Sequence, residues 1–252
     1  WLVTATRPRL LVELGTHNGV SYAAFCGAVV QAGLDTRCYA VDTWQGDEHA
    51  GQYGNEVYED LRAFHDPLYA GFSELMRCTF QDALAHFADG SIDLLHIDGL
   101  HTYEAVRDDF LSWRPKLSPR GVVLFHDTNE RRADFGVWRL WAELREAYPG
   151  FEFLHSHGLG VLAVGPDMPE GLRALCDAGP AAIALFRDRF GQLGERWMQH
   201  FEATHAVAAQ RAAEARNAGL QGEVAGLQAW RGRAEASDVA AATLRSDLDA
   251  LR

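Results

Sequence analysis

Two short stretches hold side chains suited to metal or proton chemistry. Leu95-His96-Ile97-Asp98-Gly99-Leu100-His101-Thr102-Tyr103-Glu104 supplies two imidazoles and a carboxylate, and His126-Asp127 adds one of each. Imidazole titrates near neutral pH and acts as a general base or a metal ligand. His96-x-Asp98-x-x-His101 with His126-Asp127 has the ligand types of a zinc site. The same groups could instead orient a hydroxyl and remove its proton.

A second group surrounds a glycine loop, Glu13-Leu14-Gly15-Thr16-His17-Asn18-Gly19. A turn from strand to helix presents free backbone N–H groups at a positive dipole end, which suits a carboxylate or phosphate. Dinucleotide folds use GxGxxG, whose second glycine admits the pyrophosphate. His17 stands at that place, so a ligand with a carboxylate and no diphosphate fits better. Asp42 ends the next apolar run, where an acid can accept hydrogen bonds from a ribose diol. Glu13 is an ionisable group in an apolar strand, costly to bury without a partner, and is expected to face an ammonium. A loop for a carboxylate, an acid for an ammonium and an acid for a ribose together describe S-adenosylmethionine.

These residues need a frame. Arg9 to Leu14 reads as a strand, Val20 to Ala32 as a helix ending at Gly33, and Arg37 to Val41 as a second strand. That is a βαβ unit. Further strands are expected at Glu74 to Cys78, Ile92 to Ile97 and Gly121 to Phe125, with helices at Asn55 to Phe64, Phe80 to Phe87, Tyr103 to Trp113 and Val137 to Tyr148. Phe151 to His155 and Gly160 to Val164 are joined by Ser156-His157-Gly158-Leu159, so the final strand should run antiparallel. The fold class is α/β: a Rossmann-like, seven-stranded, mostly parallel sheet with an antiparallel last strand, plus a C-terminal helical extension. Ligands of such sheets bind beyond the carboxyl ends of the strands. The polar, glycine-rich loop 43–54, with Trp44 and Tyr53, suits a lid.

Glu-x-Gly-x-x-x-Gly after the first strand, the acid after the second and Asp98 after the fourth resemble the class I S-adenosylmethionine (SAM)-dependent methyltransferases. His-Ile-Asp-Gly-x-His-Thr-Tyr-Glu and Gly-Val-Val-Leu-Phe-His-Asp resemble more closely the branch of macrocin- and mycinamicin-type sugar O-methyltransferases and cephalosporin-hydroxylase-like proteins. The resemblance covers about residues 9 to 165. It implies that Gly15, His17, Asn18 and Gly19 line the methionine end of SAM with Glu13 behind. It places Asp42 on the ribose, Thr43 and Trp44 beside it, and Phe80 and Gln81 near adenine. Asp98 would bind Mg²⁺ and contact the donor side, Asp127 would complete the metal site, and His101 would be the base. His126 stands where metal-dependent relatives often carry a second acid. Mg²⁺ prefers oxygen ligands, so His126 favours a softer divalent metal or none.

The expected domains are 1–165, the methyltransferase part, and 166–252, a helical extension after Gly165-Pro166-Asp167-Met168-Pro169. Leu220/Leu227 and Leu244/Leu251 are seven apart, a spacing for a coiled coil and a homo-oligomer; a linker is the other reading. The start at Trp1 looks trimmed from something longer, and the resemblance allows a fused glycosyltransferase domain in polysaccharide biosynthesis. A net charge of −12 argues against nucleic acid. No apolar run reaches the ~18 residues of a membrane span. Cys26, Cys38, Cys78 and Cys176 lack CxxC spacing and fit a reducing cytoplasm. The acceptor should be a sugar or glycoconjugate hydroxyl. Two alternatives remain: a metal-dependent hydrolase on the His/Asp cluster, which leaves the glycine loop and Asp42 without a task, and a non-catalytic SAM-fold module that assembles through its helices.

Overall fold

The computed structural model describes residues 1–132 and 134–250. Two compact units divide the chain, Trp1–Gly191 and Gln192–Arg252. The first unit is built on seven strands: β1 (Leu10–Leu14), β2 (Arg37–Asp42), β3 (Ser73–Arg77), β4 (Ile92–Ile97), β5 (Leu117–His126), β6 (Gly150–Phe153) and β7 (Leu159–Ala163). Their order in the sheet is β3-β2-β1-β4-β5-β7-β6. All pairs are parallel except those of β7, which runs antiparallel to both neighbours. The short join before β7 therefore makes the hairpin that its length implied.

Helices cover both faces. On one lie α1 (Leu2–Thr6), α2 (Val20–Gln31), α3 (Asn55–Tyr69) and α7 (Glu170–Cys176), packed with Leu11, Leu94, Val122 and Leu124. On the other lie α4 (Phe80–Ala83), α5 (Tyr103–Trp113) and α6 (Val137–Ala147), packed with Val12, Leu95, Val123 and Phe125. Adjacent strand residues alternate between the two cores, and every residue of β4 is buried, as a two-faced parallel sheet requires. The same alternation puts Glu13, His96 and His126 on the α2 side.

Helix α3 runs past Phe64, its expected end, and takes in Pro67. The compact unit also continues past the break at 165–169. Leu172 and Leu175 of α7 are buried, and Ile183, Phe186 and Phe190 pack onto the same core. Those three open the long helix α8 (Pro180–Ala250), so the helix expected across 170–252 is interrupted only at 177–179. In the second unit Leu220, Leu227 and Leu244 are exposed; Leu251 lies outside the described residues. Among the described residues, no helix is long and apolar enough to cross a membrane.

Register aligns the carboxyl ends of the central strands. Leu14 pairs with Val41 on one side and Ile97 on the other, and Ile97 pairs with Phe125. Gly15 N donates to Val41 O and Asp98 N to Leu14 O. Gly15, Asp42, Asp98 and His126 therefore emerge at one edge.

Asp109 of α5 lies beneath that edge, with Oδ2 about 3.5 Å from where a Cβ on Gly99 would stand. Burial, reinforced by Asp108, pushes its carboxyl up to about 7. An unfolded chain ionises Asp near 4, so this group's contribution to stability falls as pH rises from about 4 to about 7 and stays low above. Asp109→Asn should stabilise the protein at pH 8 by on the order of 2–4 kcal/mol and change little at pH 4. Thermal melts at the two pH values check this; equal gains at both would exclude ionisation as the cause.

Candidate functional site

The glycine loop is shaped by close approach. Gly15 has φ +84°, and a Cβ there would fall on the Asp98 carbonyl. Only glycine fits both demands. His17 also takes a positive φ, 49°, and stacks on Tyr53 with ring centroids 4.8 Å apart. The loop amides are not left free for a ligand, as the sequence suggested. Thr16 N and His17 N donate to Asp42 Oδ2 at 2.8 and 2.9 Å. Gly19 N donates to Thr16 O. Asp42 Oδ1 accepts from Trp44 N at 2.7 Å. Asp42 thus clamps the loop first, and only its remaining lone pairs can meet a ribose.

A cleft of about 360 Å³ opens over this edge. Gly15, Thr16 and His17 form one wall, Asp42 and Thr43 the next, Phe80 and Thr79 a third, and Asp98 to His101 the last. Gly46, Asp47, Ala50 and Tyr53 roof it. The expected cofactor residues Gly15, His17, Asp42, Thr43, Phe80 and Asp98 therefore share one cavity.

Others do not line it. Asn18 is exposed, Gly19 caps α2 and backs onto Leu61, and Gln81 is exposed. Trp44 is fully buried, against Tyr58, and its indole N–H donates to His17 O at 2.9 Å. It props the loop from behind instead of flanking a ribose. Glu13 has no exposure and no opening toward an ammonium. Its partner is His96, whose Nδ1 donates to Glu13 Oε2 at 2.8 Å. Burial pushes the Glu13 carboxyl up, and His96 pulls it back only in part. This pairing gives the strand-interior His96 a structural task, and periodicity alone could not assign its partner across the sheet.

Beyond the cleft, four side chains converge. His101 Nε2 lies 3.3 Å from Asp98 Oδ1 and 3.2 Å from Asp127 Oδ2. His126 Nδ1 lies 3.1 Å from Asp98 Oδ1 and 2.9 Å from Asp127 Oδ1. Burial would lower the basicity of His126, but the two adjacent carboxylates outweigh it and raise its pKa to about 10. Burial would raise Asp98, yet His101, His126 and the charge of His96 hold it well below the usual carboxylate range. Ligand atoms of Asp98, His101 and His126 come within 4.8 Å of one another. His101 thus joins a set in which the sequence placed Asp127 instead, and Asp127 sits directly beside it. His101 does not cap the next helix: Thr102 does, its Oγ1 accepting from Ala105 N. With Nε2 turned to the carboxylates, His101 Nδ1 is buried without a partner.

Three residues at this corner escaped the sequence reading. His49 and Phe135 stack on His101, with Phe135 and His101 centroids 5.0 Å apart and rings nearly parallel, and Asp134 pairs with His49. Gly136 makes this possible: its N donates to His101 O, and a Cβ there would strike Tyr103. The only prior signal was a histidine in a glycine-rich loop.

Residues 12–128 match the family described as "Methyltransferase domain". Over 175 residues the chain is 56% identical to "Uncharacterized protein y4gI" of Sinorhizobium fredii, a match covering 69% of this chain and 19% of that protein. The chain therefore spans about a fifth of the length of the curated relative it matches. Among solved structures it is similar to the "putative caffeoyl-CoA O-methyltransferase" of Staphylococcus aureus, with a TM-score of 0.50 and 13% identity over 65% of this chain and 79% of that one. It is also similar to the O-methyltransferase TomG of Streptomyces achromogenes, solved with SAM, with a TM-score of 0.49 and 15% identity over 65% and 76% of the two chains. Residues 12–128 are thus similar to that family, and the sheet order with antiparallel β7 gives the chain the Rossmann-like fold of the solved methyltransferase from Staphylococcus aureus.

Proposed function

We propose that this domain transfers the methyl group of SAM to a hydroxyl of a sugar or glycoconjugate. The observation that carries the reading is that one cleft is walled by the glycine loop with Asp42 on one side and Asp98 to His101 on the other. The cofactor would lie against Gly15 to His17, Asp42, Thr43 and Phe80. The acceptor would enter beside Asp98, His101, His126 and Asp127.

The transfer is an in-line displacement, so the protein must align donor and acceptor. The acceptor oxygen forms a bond to the methyl carbon while the sulfonium bond breaks, leaving S-adenosylhomocysteine. The hydroxyl proton passes to the His101 imidazole. Asp98 and Asp127 at Nε2 fix the ring and steady the imidazolium, then the proton leaves to water.

Asp98, His101 and His126 bring ligand atoms within 4.8 Å of one another, with Asp127 beside them, a set that also suits a divalent cation. His126 Nδ1 and Asp127 Oδ1 lie 2.9 Å apart, yet neither is satisfied by a hydrogen bond. Asp98, His126 and Asp127 would hold the ion, which supplies polarisation of a bound hydroxyl. An imidazole in the set suits Mn²⁺ or Zn²⁺ better than Mg²⁺. Protein y4gI is about five times as long as the matched share, and the motif resemblance to sugar O-methyltransferases is what suggests a fused glycosyltransferase of glycan assembly. The helices beyond Gly191 would then serve as linker or coiled-coil contact between copies.

Calorimetry with S-adenosylhomocysteine tests the cofactor. Binding is expected, with Asp42→Ala weakening it about tenfold or more through loss of a charged hydrogen-bond acceptor. No binding by the unaltered chain would end the SAM reading. On a glycan found to be methylated, His101→Ala should cut turnover by roughly 10²–10⁴ while cofactor affinity holds; unchanged turnover would remove His101 as base. Titration with Mn²⁺ should show a site that His126→Ala weakens by about 10–100-fold, and equal affinity in both would exclude this metal set.

A further inference from the structure

Loop 43–54 crosses the cleft as a small hairpin, Gly46 and Asp47 pairing antiparallel with Gln52 and Gly51. Its base is fixed on the cofactor side by Trp44 behind the glycine loop and Tyr53 on His17. Its tip ends on the acceptor side. Asp47 Oδ1 accepts from His49 N and Ala50 N, both at 2.7 Å, which turns the His49 side chain downward. His49 Nε2 then donates to Asp134 Oδ2 at 2.9 Å. The His49 ring lies nearly parallel to Phe135 at 4.6 Å and to His101 at 5.6 Å. Its side chain is only 8% exposed although it comes from a polar loop.

A histidine in a surface hairpin loses hydration on burial and must regain contacts elsewhere. Here every regained contact comes from the segment around Asp134 and Phe135 or from His101 itself. The hairpin roofs the cleft with Gly46, Asp47, Ala50 and Tyr53. A cofactor seated against Gly15 to His17 would lie beneath that hairpin, which borders its way out.

We infer that His49 is a positioning residue: it latches the 46–52 hairpin to Asp134 and Phe135, closing the roof over SAM and holding His101 in place at the same time. The inference rests on the cofactor reading above. Lifting the hairpin withdraws His49 from His101, so the proposed base is fully supported only while the cofactor is enclosed. Gly46 and Gly51, at φ +83° and +80°, provide the backbone freedom for such a movement.

The full chain tests this with S-adenosylhomocysteine in stopped-flow fluorescence. His49→Ala and Asp134→Ala should each speed dissociation about tenfold, the worth of one charge-assisted hydrogen bond. His49→Gln, which keeps a donor for Asp134, should return most of the slow release. Amide exchange of residues 46–52 should rise in His49→Ala whether or not the ligand is present. Unchanged exchange in that variant, or wild-type dissociation rates in both alanine variants, would overturn the latch. Failure of the unaltered chain to bind would count against the cofactor reading, while the exchange result still decides on the latch.

Discussion

The absent side chain of Gly15 is the constraint on which the functional edge depends. The Asp98 backbone occupies the space where a Cβ would stand, so the first loop and the turn after β4 are in direct contact. The hydrogen bonds of Gly15 N to Val41 O and Asp98 N to Leu14 O carry the sheet ladder right up to this contact. Side chains that branch from the next residues have little freedom in where they emerge. In the proposed reaction, the donor loop and the acceptor-side turn would thus be held together by backbone contact.

Much of the frame was legible because its signals are local. Apolar runs ended in glycine or acid at βαβ spacing, and the short join between β6 and β7 pointed to an antiparallel return. The ends of α3 and of the compact unit were not legible. The helix expected to end at Phe64 continues to Tyr69 and accommodates Pro67. The composition shift after 165 concealed Leu172, Leu175 and Phe190, whose partners are set by tertiary packing.

At the site, residue types pointed correctly to a cluster of Asp98, His101, His126 and Asp127, since all sit at strand ends or just beyond. Pairings across strands were beyond reach. Glu13 was read as facing a ligand because its partner, His96, lies on the neighbouring strand, 83 positions away in the chain. The family resemblance put Trp44 beside the ribose; in the structure it is a buried residue that anchors the loop. His49 contacts a segment 85 positions away, and nothing in its neighbours announces that distance.

The clamp of Asp42 on Thr16 and His17 has a consequence for discrimination among nucleosides. In phosphate-binding folds the amides of this turn are open and form a positive nest for an anion. In this turn the two amides are already neutralised by an internal carboxylate. A phosphorylated nucleotide entering the cleft would lose its hydration and meet negative charge where it needs donors. In the proposed site the sulfonium of SAM would face no such conflict, while its carboxylate would need donors other than these two amides. In the proposed site, the carboxylate that fastens the loop would therefore disfavour a nucleotide carrying phosphate beyond its ribose.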